Sequence, residues 1–393
     1  MKNVLYISNI RKNILKQHIT PRLLHVPVKH TAIETTKQSK FTATEITFLK
    51  NSVTMNSEKV SSIGERALIA RLTEIFKSPA GKEVLEGAGS DDCAVLDLGG
   101  EDCLVISTDM LHRTTDFPDG MSPWQMGWMS AAVNFSDIAA MGGKPLGILT
   151  AIGMPADTEI SFVEELAKGI RACAEFCETT VIGGDMDTHE ELTITGTVLG
   201  RMKKSRVLKR SGAKPGDLVC VTGYAGSAGA GLEILQSKQR GVEEADKPLI
   251  KSLLEPVPRT KEARKLAASG SVTSMMDTSD GLAMSLHDLA KASHVGFKIR
   301  ENTLPILPEV RDFASAHKNN PEKLLELALY TGGDFELLFT ITPERLKKVQ
   351  NICKLSIIGE CTKYDEGIWL ERPDGRTVPV ERRGYQQLKA ESS

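Results

Sequence analysis

The feature that most limits what this chain can fold into is a regular alternation of β-rich runs and helical stretches from about residue 93 onward. Runs such as CAVLDL and LTITGTVLG have the composition and spacing of strands. The stretches between such runs carry helix start and stop signals. Because alternating strands and helices build layered folds, the sequence predicts an α/β or α+β protein.

The first half of the chain has clear element boundaries. A Gly99-Gly100 turn joins two β-rich runs into a hairpin, and Ser122-Pro123 has the form of a helix N-cap followed by proline. Cys173 continues an apolar stripe at helical spacing, which favours a buried core thiol over a metal ligand. The predicted elements are a hairpin over 93–107, helices over 122–141 and about 160–178, a strand ending at 185 and a strand over 192–200.

A length of 393 residues suggests two domains. The basic stretch RMKKSRVLKRSGAKPGD separates the two halves, and we place the boundary near its start. The predicted domains are therefore 55–201 and 202–393. The second half is expected to contain the strands LVCVTG, VTSMM and FELLFTI, a helix over about 279–292 and a hairpin around Pro373-Asp374-Gly375.

Residues 1–54 differ from the rest of the chain because they are rich in Lys and Arg, poor in acids and without sustained periodicity. One interpretation is a basic targeting peptide. We favour a disordered extension or a misplaced start codon, since Met55 opens a polar lead-in to an amphipathic helix. Either interpretation leaves 1–54 outside the fold.

Composition excludes several classes of function. A net charge of -2 gives no positive field for nucleic acid or membrane, and 5% aromatic residues argue against base-stacking platforms. The longest apolar stretches, such as 145–155, are shorter than the roughly 20 residues of a membrane span. Seven cysteines without framework spacing indicate a reducing, cytoplasmic compartment.

Two aspartates flank the predicted hairpin. Asp92 precedes its first strand and Asp109 follows its second, so antiparallel pairing is expected to bring the two carboxylates together. Like charges in that arrangement repel unless they bind a cation or splay into water. Asp91 and Thr108 add oxygens, and oxygen ligands suit Mg²⁺. Spacing alone leaves both a metal site and an exposed strand end open.

Two further aspartates lie in unusual surroundings. Asp137 interrupts a strongly apolar helix, where an unpaired charge is costly, so it either binds a metal or pairs with a neighbour. Asp185 follows Gly183-Gly184 at the end of a predicted strand, a position where α/β proteins place ligands. Gly-Gly-Asp also makes ordinary turns.

The segment MMDTSDGL carries a stronger signal. Asp277 ends an apolar strand, Ser279 is a candidate N-cap and Asp280 falls in the expected first helical turn. Helix N-termini favour anions and phosphates. Capping alone explains Ser279 and Asp280, but it does not explain Asp277 as well.

Several other nucleotide-binding motifs are absent from the sequence. It has no G-x-x-x-x-G-K-[ST] and no H-R-D with D-F-G, which excludes P-loop enzymes and protein kinases. The Gly-rich TGYAGSAGAGL lacks the G-x-G-x-x-G spacing of a dinucleotide site. Neither H-E-x-x-H nor C-x-x-C is present.

Taken in order, these segments resemble the thiamine-monophosphate kinase family, from about residue 60 to the C-terminal end. The family is part of a superfamily with aminoimidazole ribonucleotide synthetase, selenophosphate synthetase and a hydrogenase-maturation dehydratase. The resemblance implies a two-domain aminoimidazole ribonucleotide synthetase-like fold, with an N-terminal domain that contributes strands to a dimeric β-barrel and a C-terminal α/β domain. The matching segments are GSDDCAVLD, VISTDML, AVNFSDIAAMGGKPLG, VIGGDMD, VLKRSGAKPGDLVCVTG, MMDTSDGLAMSLHDLA and GGDFELLFT.

The resemblance also implies a reaction, in which ATP phosphorylates thiamine monophosphate directly and in line with the help of several Mg²⁺ ions. The partners would be ATP, thiamine monophosphate and a second copy of the chain in a homodimer. Carried over by position, the catalytic residues are Asp137, Asp185 and Arg210, and the nucleotide contacts are Gly184, Asp185, Arg210 and Ser279. The metal ligands are Asp92, Thr108, Asp109, Asp137, Asp185, Asp277 and Asp280, and the substrate contacts are Asp116, Asp334 and Tyr385.

The sequence departs from the family pattern in the loops that would hold the acceptor. Bacterial members have His before Phe-Pro where this chain has Asp116, which could face a cationic thiazolium ring. The family motif GGEDYELLF corresponds to TGGDFELLF in this chain. When the two are aligned on their shared Leu-Leu-Phe, Gly333 takes the place of a substrate-binding Glu. Asp334 is the candidate substitute.

Two rival functions remain open. The first is another enzyme of the superfamily. Selenophosphate synthetase would need a reactive Cys near its N-terminus and the hydrogenase-maturation enzyme a Cys at its C-terminus, and neither is seen in this sequence. A non-catalytic sensor of thiamine phosphates would be expected to have lost metal carboxylates, and the mapped ones remain.

Overall fold

The computed structural model describes residues 59–76, 81–237 and 241–387. The extension predicted over 1–54 lies outside these residues. Within them the strands form two sheets, one from residues 84–203 and the other from residues 218–379. The mixed α/β class is therefore confirmed, and the division at 201/202 into two domains stays a prediction.

The first sheet has six strands in the order β1-β2-β3-β6-β4-β5. All neighbours are antiparallel except β4 and β5, which run parallel because helix α3 connects β4 to β5. The predicted hairpin and the strand over 192–200 are both present. The strands are β1 Val84–Glu86, β2 Ala94–Asp97, β3 Asp102–His112, β4 Lys144–Met154, β5 Val181–Thr188 and β6 Thr193–Lys203.

Helices α2 (Pro123–Ala140) and α3 (Ile160–Phe176) cover one face of this sheet. Ser122 caps α2 through a reciprocal capping box with Gln125, as the Ser-Pro signal predicts. The two helices approach closely because a glycine of each, Gly127 and Gly169, lies at the contact. A Cβ at Gly127 would lie 2.0 Å from the carbonyl oxygen of Leu166. Most of α2 is buried, including the polar residues Ser130, Asn134 and Ser136.

The second sheet has seven strands in the order β13-β12-β9-β11-β7-β10-β8. Strand β8 is an edge strand that also contacts α2, so α2 joins the two sheets. The final hairpin pairs β12 with β13, as expected around Pro373-Asp374-Gly375. The strands are β7 Leu218–Val221, β8 Val272–Asp277, β9 Val295–Arg300, β10 Leu337–Ile341, β11 Ser356–Lys363, β12 Ile368–Glu371 and β13 Thr377–Pro379.

The remaining helices surround the second sheet, apart from α1, which precedes the first. None of the described helices is long and apolar enough to cross a membrane. Cys173 is fully buried, as its place on the apolar stripe of α3 predicts. The helices are α1 Glu65–Phe76, α4 Ser227–Gln236, α5 Lys247–Leu254, α6 Thr260–Ser269, α7 Leu282–Ser293, α8 Pro308–Ala316, α9 Lys323–Tyr330 and α10 Leu346–Gln350.

Two predicted boundaries were wrong. The hairpin pairs Ala94 with Ile106, so extending the register sets Thr108, rather than Asp109, opposite residue 92. The helix expected from residue 279 starts at Leu282 instead, because Gly281 adopts φ +99°, a conformation suited to glycine that interrupts the helix.

Candidate active site

A cavity of about 1150 Å³ opens between the C-terminal half of β3, the N-terminal side of α7 and the last described residues of the chain. Its wall is strongly acidic. The carboxylates that line it belong to Glu65, Asp109, Asp116, Asp119, Asp137 and Asp280.

Three aspartates from separate elements meet beside this cavity, which Asp137 lines directly. Asp92 precedes β2, Asp137 lies in α2 and Asp277 ends β8. One carboxylate oxygen from each lies within 4.8 Å of the others. Asp109 extends the cluster, because its carboxylate lies close enough to Asp137 for the two charges to interact. Strand ends and a buried helix therefore converge on one acidic centre, which we call the aspartate cluster (Asp92, Asp109, Asp137 and Asp277).

Burial and mutual repulsion make ionisation of this cluster costly. Burial, followed by the charges of Asp109, Asp277 and Asp92, raises the pKa of Asp137 well above its usual range. Burial and then the charge of Asp92 raise the pKa of Asp277 to about 7. Carboxylates gathered in this way gain from a bound cation, because it removes the repulsion.

Serine hydroxyls hold the cluster in place. Ser107 on β3 donates to Asp137, and Ser136 on α2 donates to Asp277 Oδ2 at 2.5 Å. Ser279 donates to the other oxygen, Asp277 Oδ1, at 2.9 Å. These hydrogen bonds hold the side chains of Asp137 and Asp277 in place, and neither carboxylate forms an ion pair with a base among the described residues. Neither Ser107 nor Ser136 was among the predicted site residues, although Ser136 stands beside Asp137 in sequence.

The cluster has the donor set of a magnesium site. Its ligand atoms are all carboxylate oxygens, which Mg²⁺ prefers. Asp92 Oδ2 is buried and has no hydrogen-bond partner among the described residues, although buried carboxylate oxygens are normally satisfied. A cation at this position would supply the missing partner, so the residues present fit Mg²⁺.

Arg210 contacts Asp92 directly. Its guanidinium donates to Asp92, and its backbone N–H donates to Asp91 Oδ2 at 3.1 Å. Burial and then the charge of Asp92 raise the pKa of Asp91 to about 7. The predicted cation is therefore next to the cluster and oriented by two adjacent carboxylates.

Asp280 forms part of the cavity wall in the turn before α7. Because α7 starts at Leu282, Ser279 and Asp280 do not cap the helix; instead Ser279 bonds Asp277 and Asp280 faces the cavity. Arg66 of α1 forms an ion pair with Asp280 at 3.1 Å. Arg66 was not predicted as a site residue, and its position in an N-terminal helix gave no signal of this contact.

Two of the predicted acceptor residues, Asp116 and Tyr385, line the same cavity, and we call their part of its wall the acceptor end. Asp116 accepts from the backbone N–H of His112 at 2.7 Å and from the side chain of Gln387. Tyr385 lines the same end, and its N–H donates to the Asp280 carbonyl at 3.0 Å. The described C-terminal segment thus crosses the mouth of the cavity and brings Asp116, Tyr385 and Asp280 into one wall.

Comparison with known proteins agrees with this geometry. Residues 90–202 match the family model "AIR synthase related protein, N-terminal domain", and residues 214–369 match its C-terminal domain. The thiamine-monophosphate kinase of Methanospirillum hungatei is 43% identical over 80% of this chain and 97% of its own length. The chain belongs to the thiamine-monophosphate kinase family.

Other members of the family agree over similar lengths. The Escherichia coli K12 thiamine-monophosphate kinase is 35% identical over 82% of this chain and 97% of its own. The solved structure of AaThiL complexed with AMPPCP and TMP superposes with a TM-score of 0.74 and 30% identity, covering 84% of this chain and 99% of that one. The expected aminoimidazole ribonucleotide synthetase-like fold is therefore confirmed.

Three residues that the family resemblance assigns to the site do not reach the aspartate cluster in one copy of the chain. Thr108 lies on the opposite face of β3 from Asp109, since side chains alternate along a strand, and its hydroxyl donates to the Gly196 carbonyl at 2.8 Å. Gly184 and Asp185 lie within the edge strand β5, which continues to Thr188 instead of ending at residue 185.

The position of Asp185 follows from the strand register. It pairs with Ala151, which pairs with Thr195, which pairs with Met110. Paired residues share a face of the sheet, and Met110 is on the opposite face from Asp109. The side chain of Asp185 is therefore exposed on the face away from the cluster, and the prediction of a loop carboxylate at the strand end was wrong.

Asp334 is also placed differently from the prediction. Its carboxylate accepts from the backbone N–H groups of Gly226 and Ala228, at 2.6 and 2.9 Å, and so satisfies the N-terminus of α4. The residue is half-buried, and Gly332, Gly333 and Phe335 line the cavity in its place. Helix capping accounts for the position of Asp334, and its role in place of the family's substrate-binding Glu stays a prediction.

Proposed function

We propose that this chain transfers the γ-phosphoryl group of ATP to thiamine monophosphate, giving thiamine diphosphate and ADP. The observation that carries the proposal is the aspartate cluster, whose members Asp109 and Asp137 line the same cavity as Asp116 and Tyr385, in a member of this family. A metal-ligating end and an acceptor-binding end are both required for such a transfer.

Mg²⁺ bound at the cluster would neutralise phosphate charge and align the reacting oxygens. Asp92, Asp137 and Asp277 would hold the first ion and Asp109 would share it. Asp280, nearer the acceptor end, would hold a further ion. The serine hydroxyls of residues 107 and 136 would keep these carboxylates oriented before any substrate binds.

The acceptor needs no dedicated base. Its attacking atom is a phosphate oxygen, which is already anionic at neutral pH, so alignment and charge neutralisation supply most of the catalysis. We therefore propose direct in-line transfer without a phosphoenzyme. Arg210 would contact the nucleotide phosphates as a fixed cation, next to Asp91 and Asp92.

The acceptor end has the charge expected for a cationic ring. Asp116, Glu65 and Asp280 surround Tyr385, and burial followed by these three charges, that of Asp116 foremost, raises its pKa to about 12. A neutral phenol beside carboxylates suits the thiazolium of thiamine monophosphate. Asp116 would supply the charge that its bacterial counterpart, a His, does not.

We further propose a homodimer formed through the uncovered face of the first sheet. Helices α2 and α3 cover one face, whereas Met110 and Leu149 are exposed on the other and Leu199 is partly exposed there. Burial of such a face against its equivalent in a second copy would complete a barrel. Gly184 and Asp185 would then contact ligands from the edge of this interface, and their nucleotide role rests on that dimer.

The free cysteines support a reducing, cytoplasmic setting for this function. All seven are buried and none is in a disulfide. Burial raises the pKa of Cys220 to about 12, so its thiol stays protonated and unreactive.

The discriminating experiment offers the protein several phosphoryl acceptors in parallel. ADP release is measured with Mg²⁺ and ATP in the presence of thiamine monophosphate, formylglycinamidine ribonucleotide or selenide. We expect turnover with thiamine monophosphate alone. Turnover with another acceptor would favour a different enzyme of the superfamily, and binding of thiamine monophosphate without turnover would favour the sensor.

A further inference from the structure

The acceptor end of the cavity has too little positive charge to bind an anionic phosphate. Among its described lining residues, six carboxylates face a single basic side chain, that of Arg113. Arg113 is already engaged, since it donates to the Phe117 carbonyl at 2.8 Å and lies 3.6 Å from Asp119. An anionic acceptor needs a further cation near that end.

Arg66 is placed to supply it. Its Nη1 donates to both oxygens of Asp288, at 2.7 and 2.8 Å, and its Nη2 donates to Asp280 Oδ2 at 3.1 Å. The residue before it, Glu65, lines the cavity directly. Asp280, the partner of Nη2, lines the cavity as well, so the guanidinium lies directly behind a cavity-lining carboxylate with its other edge fixed on Asp288.

Exposure separates the two ion pairs. The side chain of Asp288 is only 12% exposed, whereas that of Asp280 is 46% exposed and that of Arg66 is 29% exposed. The Asp288 pair is thus an anchor, and the Asp280 pair faces solvent in the cavity. Nη2 can therefore give up its hydrogen bond to Asp280 for one to a ligand while Nη1 stays bound to Asp288.

We propose that Arg66 binds the phosphate of the phosphoryl acceptor, with Asp288 holding the guanidinium in place. The inference rests on the proposed function and adds a binding residue to it. A divalent cation on Asp280 would leave the group of Arg66, Asp280 and Asp288 with excess positive charge. An acceptor phosphate between the cation and Nη2 compensates that charge and takes over the hydrogen bond from Asp280.

The surroundings of Arg66 favour the acceptor over the nucleotide. The backbone carbonyl of Asp280 accepts from Tyr385, and Glu65 accepts from the backbone N–H of Gln387 at 2.8 Å. Both contacts belong to the acceptor end. Arg210, the cation assigned to the nucleotide, lies instead beside Asp92.

The test compares four variants of the whole protein. Arg66→Gln removes the positive charge. Arg66→Lys keeps the charge but loses the second guanidinium nitrogen, so it cannot bind Asp288 and a phosphate in the same geometry. Arg382→Gln is the matched control, because Arg382 also pairs with Asp288, at 3.4 Å, whereas the ion pair with the cavity-lining Asp280 is made by Arg66. Asp288→Asn removes the anchor and keeps Arg66. Each is measured by calorimetric titration of thiamine monophosphate with Mg²⁺ and no nucleotide, by steady-state kinetics and by thermal melting.

For Arg66→Gln we expect Kd and KM for thiamine monophosphate to rise about tenfold or more, and KM for ATP to change by less than about twofold. Arg66→Lys should recover part of the affinity, and Arg382→Gln should match the wild type. Asp288→Asn should weaken binding less than Arg66→Gln does. This order of effects is expected of a phosphate contact.

Two results would overturn the inference. An unchanged Kd in Arg66→Gln would exclude the contact, and equal losses of affinity and melting temperature in Arg66→Gln and Asp288→Asn would show a structural tether only. Wild-type turnover measured in the same series keeps the two proposals distinguishable. Failure of the wild type to use thiamine monophosphate would contradict the proposed function and this inference together.

Discussion

Asp137, in the last turn of α2, and Asp277, at the end of β8, hold carboxylate oxygens within 4.8 Å of each other, although the helix covers the first sheet and the strand belongs to the second. The proximity exists because α2 also packs against β8. The site is thus assembled at the seam between the two sheets. Its chemistry depends on a contact that neither half of the chain forms alone.

Asp137→Asn should abolish turnover and preserve the fold. The substitution keeps the size of the side chain but removes a charge that a metal cluster needs, so kcat should fall by about a hundredfold or more. It also removes repulsion with Asp109 and Asp277, so the melting temperature of the metal-free protein should stay equal or rise. ADP release and thermal melting measure the two effects.

Asp97→Asn is the matched control for that change, because Asp97 is a strand aspartate paired with Lys204 away from the cavity. Its turnover should equal that of the wild type. Unchanged turnover in Asp137→Asn would refute the metal role of the cluster.

Metal-free protein should lose stability as pH rises toward neutrality. Asp277 has a folded-state pKa of about 7, against about 3.9 in the unfolded chain, so the folded state binds the extra proton. Its contribution is complete below about pH 4 and declines through about pH 7, by about 1.4 kcal/mol per pH unit for one such group. Mg²⁺ should therefore raise the melting temperature more at pH 8 than at pH 5.5.

The measurement is a set of melting curves from pH 5.5 to 8 with EDTA or with MgCl₂. Asp277→Asn should flatten the EDTA series. A metal-free melting temperature that rises over this range, or a Mg²⁺ effect independent of pH, would contradict the proposed state of the cluster.

Asp334→Ala should lower stability and leave acceptor binding unchanged. The carboxylate caps two N–H groups of α4, and loss of such a cap costs about 1–2 kcal/mol of the free energy of unfolding. Urea unfolding checks the first effect and the KM for thiamine monophosphate the second. A tenfold rise in KM at unchanged stability would support Asp334 as a substrate residue.

Leu149→Asp should shift the protein from dimer to monomer. Leu149 lies on the uncovered face of the first sheet, where a charge would be buried in the proposed interface. Val242→Asp is the matched control, since Val242 is exposed away from that sheet. Light scattering at several concentrations measures the mass, and an unchanged dimer in Leu149→Asp would exclude this face.

The strands and helices that form the site could be predicted from sequence, since strand periodicity and capping signals are local. Ser122 capped α2 as expected, and the hairpin before Asp109 formed where its glycine turn indicated. The grouping of Asp92, Asp137 and Asp277 could not be derived from spacing, because it depends on long-range packing; it came from the family resemblance.

The wrong predictions have local physical causes. Thr108 and Asp109 are consecutive residues of β3, so their side chains lie on opposite faces and only Asp109 reaches the cluster. Gly281 at positive φ delayed the start of α7 and left Asp280 free to face the cavity. Asp334 followed the ordinary preference of a carboxylate for a helix N-terminus. Arg66 was missed because its partners, Asp280 and Asp288, are more than two hundred positions away in sequence.

The most direct test of the central claim follows the γ-phosphoryl group itself. ATP labelled with ¹⁸O at the γ-phosphate is incubated with the protein, thiamine monophosphate and Mg²⁺, and the products are analysed by mass spectrometry. The label should appear in the terminal phosphate of thiamine diphosphate, at a rate that EDTA or Asp137→Asn removes. Label found only in inorganic phosphate, or transfer that persists without the cluster, would contradict it.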